Sequence, residues 1–215
     1  MDAEFLLGVK REFRERGGEL LIAYDVDDIL WSLMSVVSRY LSIDLERCLA
    51  TFGIHDNTLL TPQEQDAVIA AFSNADLFRE MKFYSEAIDI LRPMELGAKV
   101  IINSNSYNDE IADLKREQLL AIIPNLRKEQ LCMNIVGEGK DVKHKKFNPD
   151  TVIVVDDSPF NVAMSPALVG VMSKWIPWSC SPEAKQAVRG KRVVWKNNLA
   201  EINDFVYDLT KQLVS

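Results

Sequence analysis

An apolar run that ends abruptly in aspartates constrains this chain more than any other feature of its sequence. Residues 19–28 read ELLIAYDVDD, and residues 151–157 repeat the design as TVIVVDD. Continuous apolar runs of this length are typical of strands buried on both faces of a parallel sheet. In open α/β sheets, binding and catalytic groups gather at the carboxyl edge of such strands. We therefore expect both groups of aspartates to lie at one edge of one sheet.

Four of the carboxylates at the ends of these two runs are those of Asp25, Asp27, Asp156 and Asp157. At buried strand ends these groups would repel one another strongly unless a cation or bound protons compensated their charge. Carboxylate oxygens are also the side-chain ligands that Mg²⁺ prefers. The sequence therefore predicts a magnesium site at this edge of the sheet.

Beyond these runs, predicted strands alternate with predicted helices along the chain. Further strands are expected near residues 99–104, 131–136, 169–176 and 192–195. Alternation of this kind implies right-handed crossovers and parallel strands covered on both sides. We therefore expect an α/β fold with a Rossmann-like, mostly parallel sheet and helices on both faces.

Residues 30–82 interrupt this alternation, because no stretch within them has the pattern of a buried strand. Their clearest signal is a helix start, in which Thr61 is the N-cap, Pro62 takes the first helical position and Glu64 closes a capping box. We expect these residues to form a small helical cap inserted after the first strand. The core would then consist of residues 1–29 and 83–215.

Composition and charge argue against several classes of protein. The net charge of −7 and the pI near 5.0 disfavour stable nucleic-acid binding, which would require a basic face. Three widely spaced cysteines, Cys48, Cys132 and Cys180, predict reduced thiols instead of disulfides or a zinc site. Charged residues interrupt the first apolar residues, and no apolar run is long enough to cross a bilayer, so we expect neither a signal peptide nor a membrane span. These features favour a cytoplasmic protein, and they are compatible with a homodimer.

The chemically active residues follow a definite order along the chain. The strand ends offer Asp25-x-Asp27, then Ser104, then a lysine of residues 140–146, then Asp156-Asp157. This order resembles the four motifs of the haloacid-dehalogenase-like (HAD) phosphohydrolases, and the resemblance covers residues 19–180. The sequences DVDDIL and VDDSPFN around the two aspartate groups are most similar to the 5′(3′)-deoxyribonucleotidase branch, which also carries its cap between the first and second motifs.

The resemblance implies a role for each matching residue. Asp25 would be the nucleophile that becomes an aspartyl phosphate, and Asp27 would be the general acid and then the general base. Ser104 would donate a hydrogen bond to a phosphoryl oxygen, with Asn105 as a neighbouring candidate for the phosphate site. Mg²⁺ would bind Asp25, the main-chain carbonyl of Asp27 and either Asp156 or Asp157, with the other acting through water.

The sequence leaves alternatives for the role of Asp28 and for the identity of the phosphate-binding lysine. Asp28 stands where relatives often have glycine, and its carboxylate could turn toward solvent or cap the following helix. The phosphate-binding lysine could be Lys140, Lys143, Lys145 or Lys146. Lys140 is preferred because it follows a glycine-rich turn soon after a predicted strand.

The resemblance implies a Mg²⁺-dependent phosphatase for a small phosphomonoester, and the similarity to the deoxyribonucleotidase branch implies a (deoxy)nucleoside 5′-monophosphate as the preferred substrate. A phosphosugar phosphatase or phosphomutase would share all four motifs, and a non-catalytic binding module could retain the fold. Asp27 argues against a dehalogenase, and the late Asp156-Asp157 pair argues against a receiver domain. Six aromatic residues are candidates for stacking on a base or for packing inside the cap. They are Trp31, Phe52, Phe72, Phe78, Phe83 and Tyr84.

Overall fold

The computed structural model describes residues 2–135 and 146–215, and in these residues six strands form one sheet. Their bounds are β1 Leu21–Tyr24, β2 Lys99–Ser106, β3 Leu131–Ile135, β4 Thr151–Val155, β5 Val169–Ser173 and β6 Val193–Lys196. The strand order is β3-β2-β1-β4-β5-β6, and every neighbouring pair is parallel. The predicted α/β fold is confirmed, and the sheet is parallel throughout instead of mostly parallel.

The strand order places β1 and β4 side by side at the centre of the sheet. From β1 the chain proceeds outward to β2 and β3, then returns to β4 and proceeds outward on the other side. Such a reversal leaves a crevice at the carboxyl ends of the two central strands, and this crevice is the usual ligand site of open parallel sheets. All residues of β1, β4 and β5 are buried, so these strands are covered on both faces.

Helices connect the strands and cover the sheet. The helices are α1 Ala3–Glu15, α2 Leu33–Leu41, α3 Leu45–Cys48, α4 Pro62–Ala71, α5 Ala75–Arg79, α6 Asp109–Ile122, α7 Pro159–Met164, α8 Pro182–Ala187 and α9 Leu199–Val214. Shorter turns of 3₁₀ helix occupy Ile54–Asp56, Lys128–Gln130 and Pro177–Cys180, and a longer 3₁₀ segment covers Ser85–Leu96. The last of these contains Pro93, which cannot donate a main-chain hydrogen bond.

The segment between β1 and β2 contains the four helices α2, α3, α4 and α5. The start of α4 is as predicted, because the side chain of Thr61 accepts from the main-chain N–H of Glu64 while Glu64 accepts from that of Thr61. Helix α5 packs against α6, which follows β2 in the core. The segment is thus helical, as the sequence predicted, and one of its helices contacts the sheet-covering layer.

The three cysteines are free thiols, with Cys48 buried, Cys132 exposed and Cys180 half-buried. This agrees with the prediction of unpaired thiols. In the part of the chain that the structure describes, none of the helices has both the length and the apolar character that a membrane span requires.

Candidate active site

Three carboxylates meet at the carboxyl ends of the two central strands. One oxygen from each of Asp25, Asp156 and Asp157 lies within 4.8 Å of the others, and the three residues are only 5%, 1% and 6% exposed. The main-chain N–H of Asp25 donates to the carbonyl of Val155 at 2.8 Å, which extends the pairing of β1 with β4 by one residue. The two aspartate groups that the sequence singled out therefore converge, and we refer to these three residues as the acidic trio.

Neighbouring donors hold the two later aspartates of the acidic trio in place. Asp156 Oδ1 accepts from the main-chain N–H of Ser158 at 2.9 Å and from the side-chain amide of Asn161 at 3.1 Å. Asp157 Oδ2 accepts from the indole N–H of Trp178 at 3.0 Å. Ser158 itself caps α7, because its hydroxyl accepts from the N–H of Asn161. The carboxylates at 156 and 157 are thus oriented toward Asp25 and do not serve as the helix cap.

The acidic trio fits a small divalent cation by its donor set. Three buried negative charges at this separation are costly without a compensating cation or protons. Hard oxygen donors on a few carboxylates, completed by water, are what Mg²⁺ takes in proteins. The predicted side-chain ligands Asp25, Asp156 and Asp157 are therefore together, whereas the side chain of Asp27 points to different partners.

Asp27 forms an ion pair with a lysine that the sequence analysis did not select. Its Oδ2 accepts from Lys115 Nζ at 2.5 Å, and its Oδ1 accepts from the indole N–H of Trp31 at 2.9 Å. Lys115 belongs to α6 and its side chain is 1% exposed. The two aspartates of the Asp25-x-Asp27 motif thus have separate environments, one anionic and one beside a buried cation.

The same lysine reaches the residues predicted to bind phosphate. Lys115 Nζ donates to the hydroxyl of Ser104 at 3.1 Å and to the carbonyl of Asn105 at 2.7 Å, both near the end of β2. The side-chain oxygen of Asn105 is buried and has no hydrogen-bond partner among the described residues. Ser104, Asn105 and Lys115 therefore form a compact group beside Asp27 that offers a hydroxyl, an amide and a cation.

Lys115 is therefore a further candidate for the phosphate-binding lysine, in addition to those predicted from the sequence. Lys140, the preferred residue, lies outside the described residues, as do Lys143 and Lys145. Lys146 is exposed, and its carbonyl accepts from the side chain of Asn103. Lys115 lies on α6 after the Ser104 strand, whereas the order of the motifs predicts the lysine in the loop before the last motif.

One sequence signal could have identified Lys115. In α6 the buried positions are Ile111, Ala112, Lys115 and Leu119, a spacing of three and four residues that places all of them on one face of the helix. Lysine is almost never fully buried unless it is paired. A lysine in the apolar stripe of the helix after the Ser104 strand therefore predicts a buried anionic partner.

Asp28 occupies a backbone conformation that glycine adopts most easily. Its φ is +56°, in the left-handed region where aspartate is tolerated better than most residues. Its carboxylate is buried and accepts from the main-chain N–H of Met34, in the first turn of α2, at 3.2 Å. Of the two alternatives from the sequence, capping is confirmed and exposure to solvent is wrong. Burial, with a smaller effect from the charges of Asp27 and Asp25, raises the pKa of Asp28 to about 8.

The raised pKa of Asp28 predicts a pH-dependent effect of Asp28→Asn on stability. In metal-free protein between about pH 4 and about pH 8, the folded state holds a proton on Asp28 that the unfolded chain releases. The wild type therefore loses free energy of unfolding as the pH rises through this window, by up to about 1.4 kcal/mol per pH unit. Asparagine cannot ionise, and its side-chain oxygen still accepts from the N–H of Met34. The free energy of unfolding of the variant should therefore increase relative to that of the wild type as pH rises. Urea unfolding of both proteins in chelator across this range measures the difference, and a difference independent of pH would contradict the assignment.

The aromatic candidates divide into buried and partly exposed residues. Trp31 and Phe78 are buried and pack on each other, with ring centroids 5.7 Å apart. Phe52 is 38% exposed and packs on Phe160 and Trp178 of the core, and Phe72 packs on Tyr107 at 5.5 Å. Burial, and next the charge of Asp27, raise the pKa of Tyr107, so this ring is close to the site. Phe83 and Tyr84 are half-buried against the main core.

Comparisons with known proteins identify the fold. No protein-family model and no curated protein matches the sequence. A putative β-phosphoglucomutase from Bacteroides vulgatus is similar in structure, with a TM-score of 0.57, 13% sequence identity and 99% of each chain covered. A haloacid dehalogenase-like family hydrolase from Streptococcus pneumoniae is similar with a TM-score of 0.54 and 12% identity, over 88% of this chain and 99% of that one. The chain thus has the haloacid dehalogenase-like α/β fold.

Proposed function

We propose that this chain is a Mg²⁺-dependent phosphohydrolase that cleaves small phosphomonoesters through an aspartyl phosphate on Asp25. The observation that supports this proposal is the contact of Asp27 with Lys115, which also contacts Ser104. Asp27 follows Asp25 of the acidic trio by two residues, so the loop after β1 carries a member of both groups. A phosphoryl group needs a nucleophile, a proton donor and cationic donors within reach of one another, and this arrangement offers all of them.

The acidic trio would hold the metal ion, which would offset the negative charge of the site and of the phosphate. A carboxylate oxygen of Asp25 attacks phosphorus, so that the Asp25–phosphorus bond forms while the bond to the leaving oxygen breaks. Asp27 donates its proton to that leaving oxygen. Asp27 then takes a proton from water, whose oxygen attacks phosphorus and releases Asp25. Lys115 and Ser104 donate hydrogen bonds to the phosphoryl oxygens as their charge develops.

The ion pair of Asp27 with Lys115 is compatible with this acid role. Before substrate binds, the ammonium stabilises the carboxylate of Asp27. A phosphate dianion that attracts Lys115 weakens this ion pair and brings negative charge close to Asp27. Lys115 would then serve as the phosphoryl-binding cation while Asp27 serves as the acid.

For the substrate, we propose a nucleoside 5′-monophosphate enclosed by a cap formed by residues 30–82 over a core of residues 1–29 and 83–215. The nucleotide preference rests on the similarity of the aspartate motifs to deoxyribonucleotidases, and the partly exposed ring of Phe52 offers a surface on which a base could stack. A phosphosugar is the second candidate, because one structural neighbour is a putative β-phosphoglucomutase. Both candidates use the same phosphoryl chemistry and differ in the leaving group.

Phosphate release from a substrate panel tests this proposal. The panel contains nucleoside monophosphates with ribose and deoxyribose, phosphosugars and an aryl phosphate, each with Mg²⁺ and with chelator. We expect release that requires Mg²⁺ and is fastest with nucleotides. Release from phosphosugars alone would retain the mechanism and overturn the substrate class. No release from any compound by folded, Mg²⁺-binding protein would contradict the phosphohydrolase proposal.

A further inference from the structure

We infer that Trp178 is a positioning residue that orients Asp157 toward a bound divalent cation, and that Phe52 holds Trp178 in place from the segment between β1 and β2. The inference rests on the proposed function, in which the acidic trio holds Mg²⁺. It adds two residues outside the trio that determine how tightly the ion binds.

The two later aspartates of the acidic trio receive hydrogen bonds from different parts of the chain. Asp156 accepts from Ser158 and Asn161, which follow it by two and five positions. Asp157 Oδ2 accepts at 3.0 Å from the indole N–H of Trp178, which is 21 positions away. The terminal torsion of an aspartate side chain is broad, so a donor on one oxygen restricts the direction of the carboxylate. An indole N–H is an uncharged donor, and this contact therefore orients Asp157 without cancelling its charge.

The turn that carries Trp178 is attached to two strands of the sheet. Trp178 is only 5% exposed and lies in the 3₁₀ turn Pro177–Cys180 after β5. The hydroxyl of Ser179 donates to the carbonyl of Ser173, the last residue of β5. The carbonyl of Ser179 accepts from the indole N–H of Trp195 in β6 at 2.9 Å. The main chain beside Trp178 thus has a fixed position relative to the sheet.

Phe52 packs on the indole of Trp178 from the segment between β1 and β2. The two ring centroids are 6.0 Å apart and the ring planes are inclined by 78°, which is the edge-to-face geometry that aromatic pairs favour. The ring of Phe52 also lies 5.8 Å from that of Phe160, at the start of α7 and three positions after Asp157. This packing restricts the indole to the orientation in which it reaches Asp157. Metal affinity and the position of this segment are therefore linked, since anything that binds one arrangement more tightly also favours it.

Trp178→Phe tests the positioning role, because it removes the N–H and retains a ring against Phe52. We expect the dissociation constant of Mg²⁺ to rise about 10-fold or more, since loss of a hydrogen-bond partner of a metal ligand typically weakens metal binding about 10- to 100-fold. Calorimetric titration of the metal-free protein with Mg²⁺ alone, without substrate, measures this constant. Unchanged affinity in folded Trp178→Phe would overturn the inference and leave the phosphohydrolase proposal standing.

Trp195→Phe is the matched control for Trp178→Phe. It also removes an indole N–H from the β5–β6 region, but one that donates to the carbonyl of Ser179 and not to a carboxylate of the acidic trio. The control should bind Mg²⁺ with wild-type affinity. A loss in the control as large as that in Trp178→Phe would assign the effect to the turn and overturn the inference.

Phe52→Leu tests the contribution of the segment between β1 and β2. Leucine remains apolar but removes the aromatic pair with Trp178, and we expect the dissociation constant of Mg²⁺ to rise about two- to tenfold. The control is Tyr40→Leu, which changes a 58% exposed ring of the same segment and should leave the affinity unchanged. Equal affinities in the two variants would overturn the link between this segment and the metal.

A spectroscopic readout needs no variant and no activity. The chain has four tryptophans, so a proton–nitrogen correlation spectrum of the wild type contains few indole N–H signals. Saturating Mg²⁺ should shift the Trp178 signal and leave that of Trp195 in place. A Trp178 signal that does not move would overturn the inference, and a wild type that binds no Mg²⁺ would overturn both proposals. The expected shift in a protein without phosphatase activity would support the inference and reject the phosphohydrolase.

Discussion

Replacing Asp25 by asparagine is expected to abolish phosphate release, with turnover at least about 10⁴-fold below wild type, because an amide oxygen is a poor nucleophile and forms no stable phosphoryl ester. The fold should persist. Asp25 is buried beside two other carboxylates, and removing one charge reduces their mutual repulsion in metal-free protein. We therefore expect the melting temperature in chelator to be equal to or above that of the wild type. Phosphate release and thermal melting of the same preparation measure both effects.

Asp150→Asn is the matched control for this substitution. Asp150 lies in the turn before β4 and is exposed, whereas the residues of the acidic trio are buried. It should keep wild-type turnover and stability. If Asp25→Asn retained activity close to that of the control, the nucleophile assignment would be wrong.

Lys115→Met should produce the second large loss. Methionine keeps most of the length of the apolar stem and removes the ammonium, which lies over the ring of Phe78 and contacts Asp27 and Ser104. Loss of a donor to developing phosphoryl charge costs about 10²- to 10³-fold in turnover, and we expect an effect of this size together with a raised KM. Steady-state kinetics with and without Mg²⁺ measures it.

Two further substitutions make the lysine test decisive. Lys99→Met removes an exposed lysine at the start of β2 that pairs with Glu19, and it should leave turnover unchanged. Lys140→Met changes the residue that the sequence analysis preferred. A large loss in Lys140→Met with wild-type turnover in Lys115→Met would return the phosphate-binding role to the loop before the last motif.

Local patterns were enough to predict the strands and the acidic groups. The runs before Asp25 and Asp156 are continuous and apolar, and such runs are typical of the buried strands of parallel sheets. The convergence of the two groups followed from a general property of parallel sheets, whose carboxyl ends share one edge. The capping box at Thr61 involves residues three positions apart and was likewise predictable from the sequence.

The remaining site contacts join residues that are far apart in the sequence, so no local pattern predicts them. Lys115 and Asp27 are 88 positions apart, and their contact requires α6 to pack with its buried face toward the loop after β1. Trp178 and Asp157 are 21 positions apart and come together through the connection after β5. The left-handed backbone of Asp28 was also beyond local prediction, because aspartate does not require that conformation.

The central claim is that phosphoryl transfer passes through Asp25, and chemical trapping tests it most directly. Protein in turnover is quenched in acid, treated with borohydride and digested, and the peptide containing Asp25, Asp27 and Asp28 is fragmented in a mass spectrometer. Borohydride reduces an aspartyl phosphate to homoserine, so we expect homoserine at position 25 in samples with substrate and Mg²⁺, and in none of the samples with chelator. Rapid phosphate release with unmodified Asp25, or homoserine at another position, would contradict the mechanism.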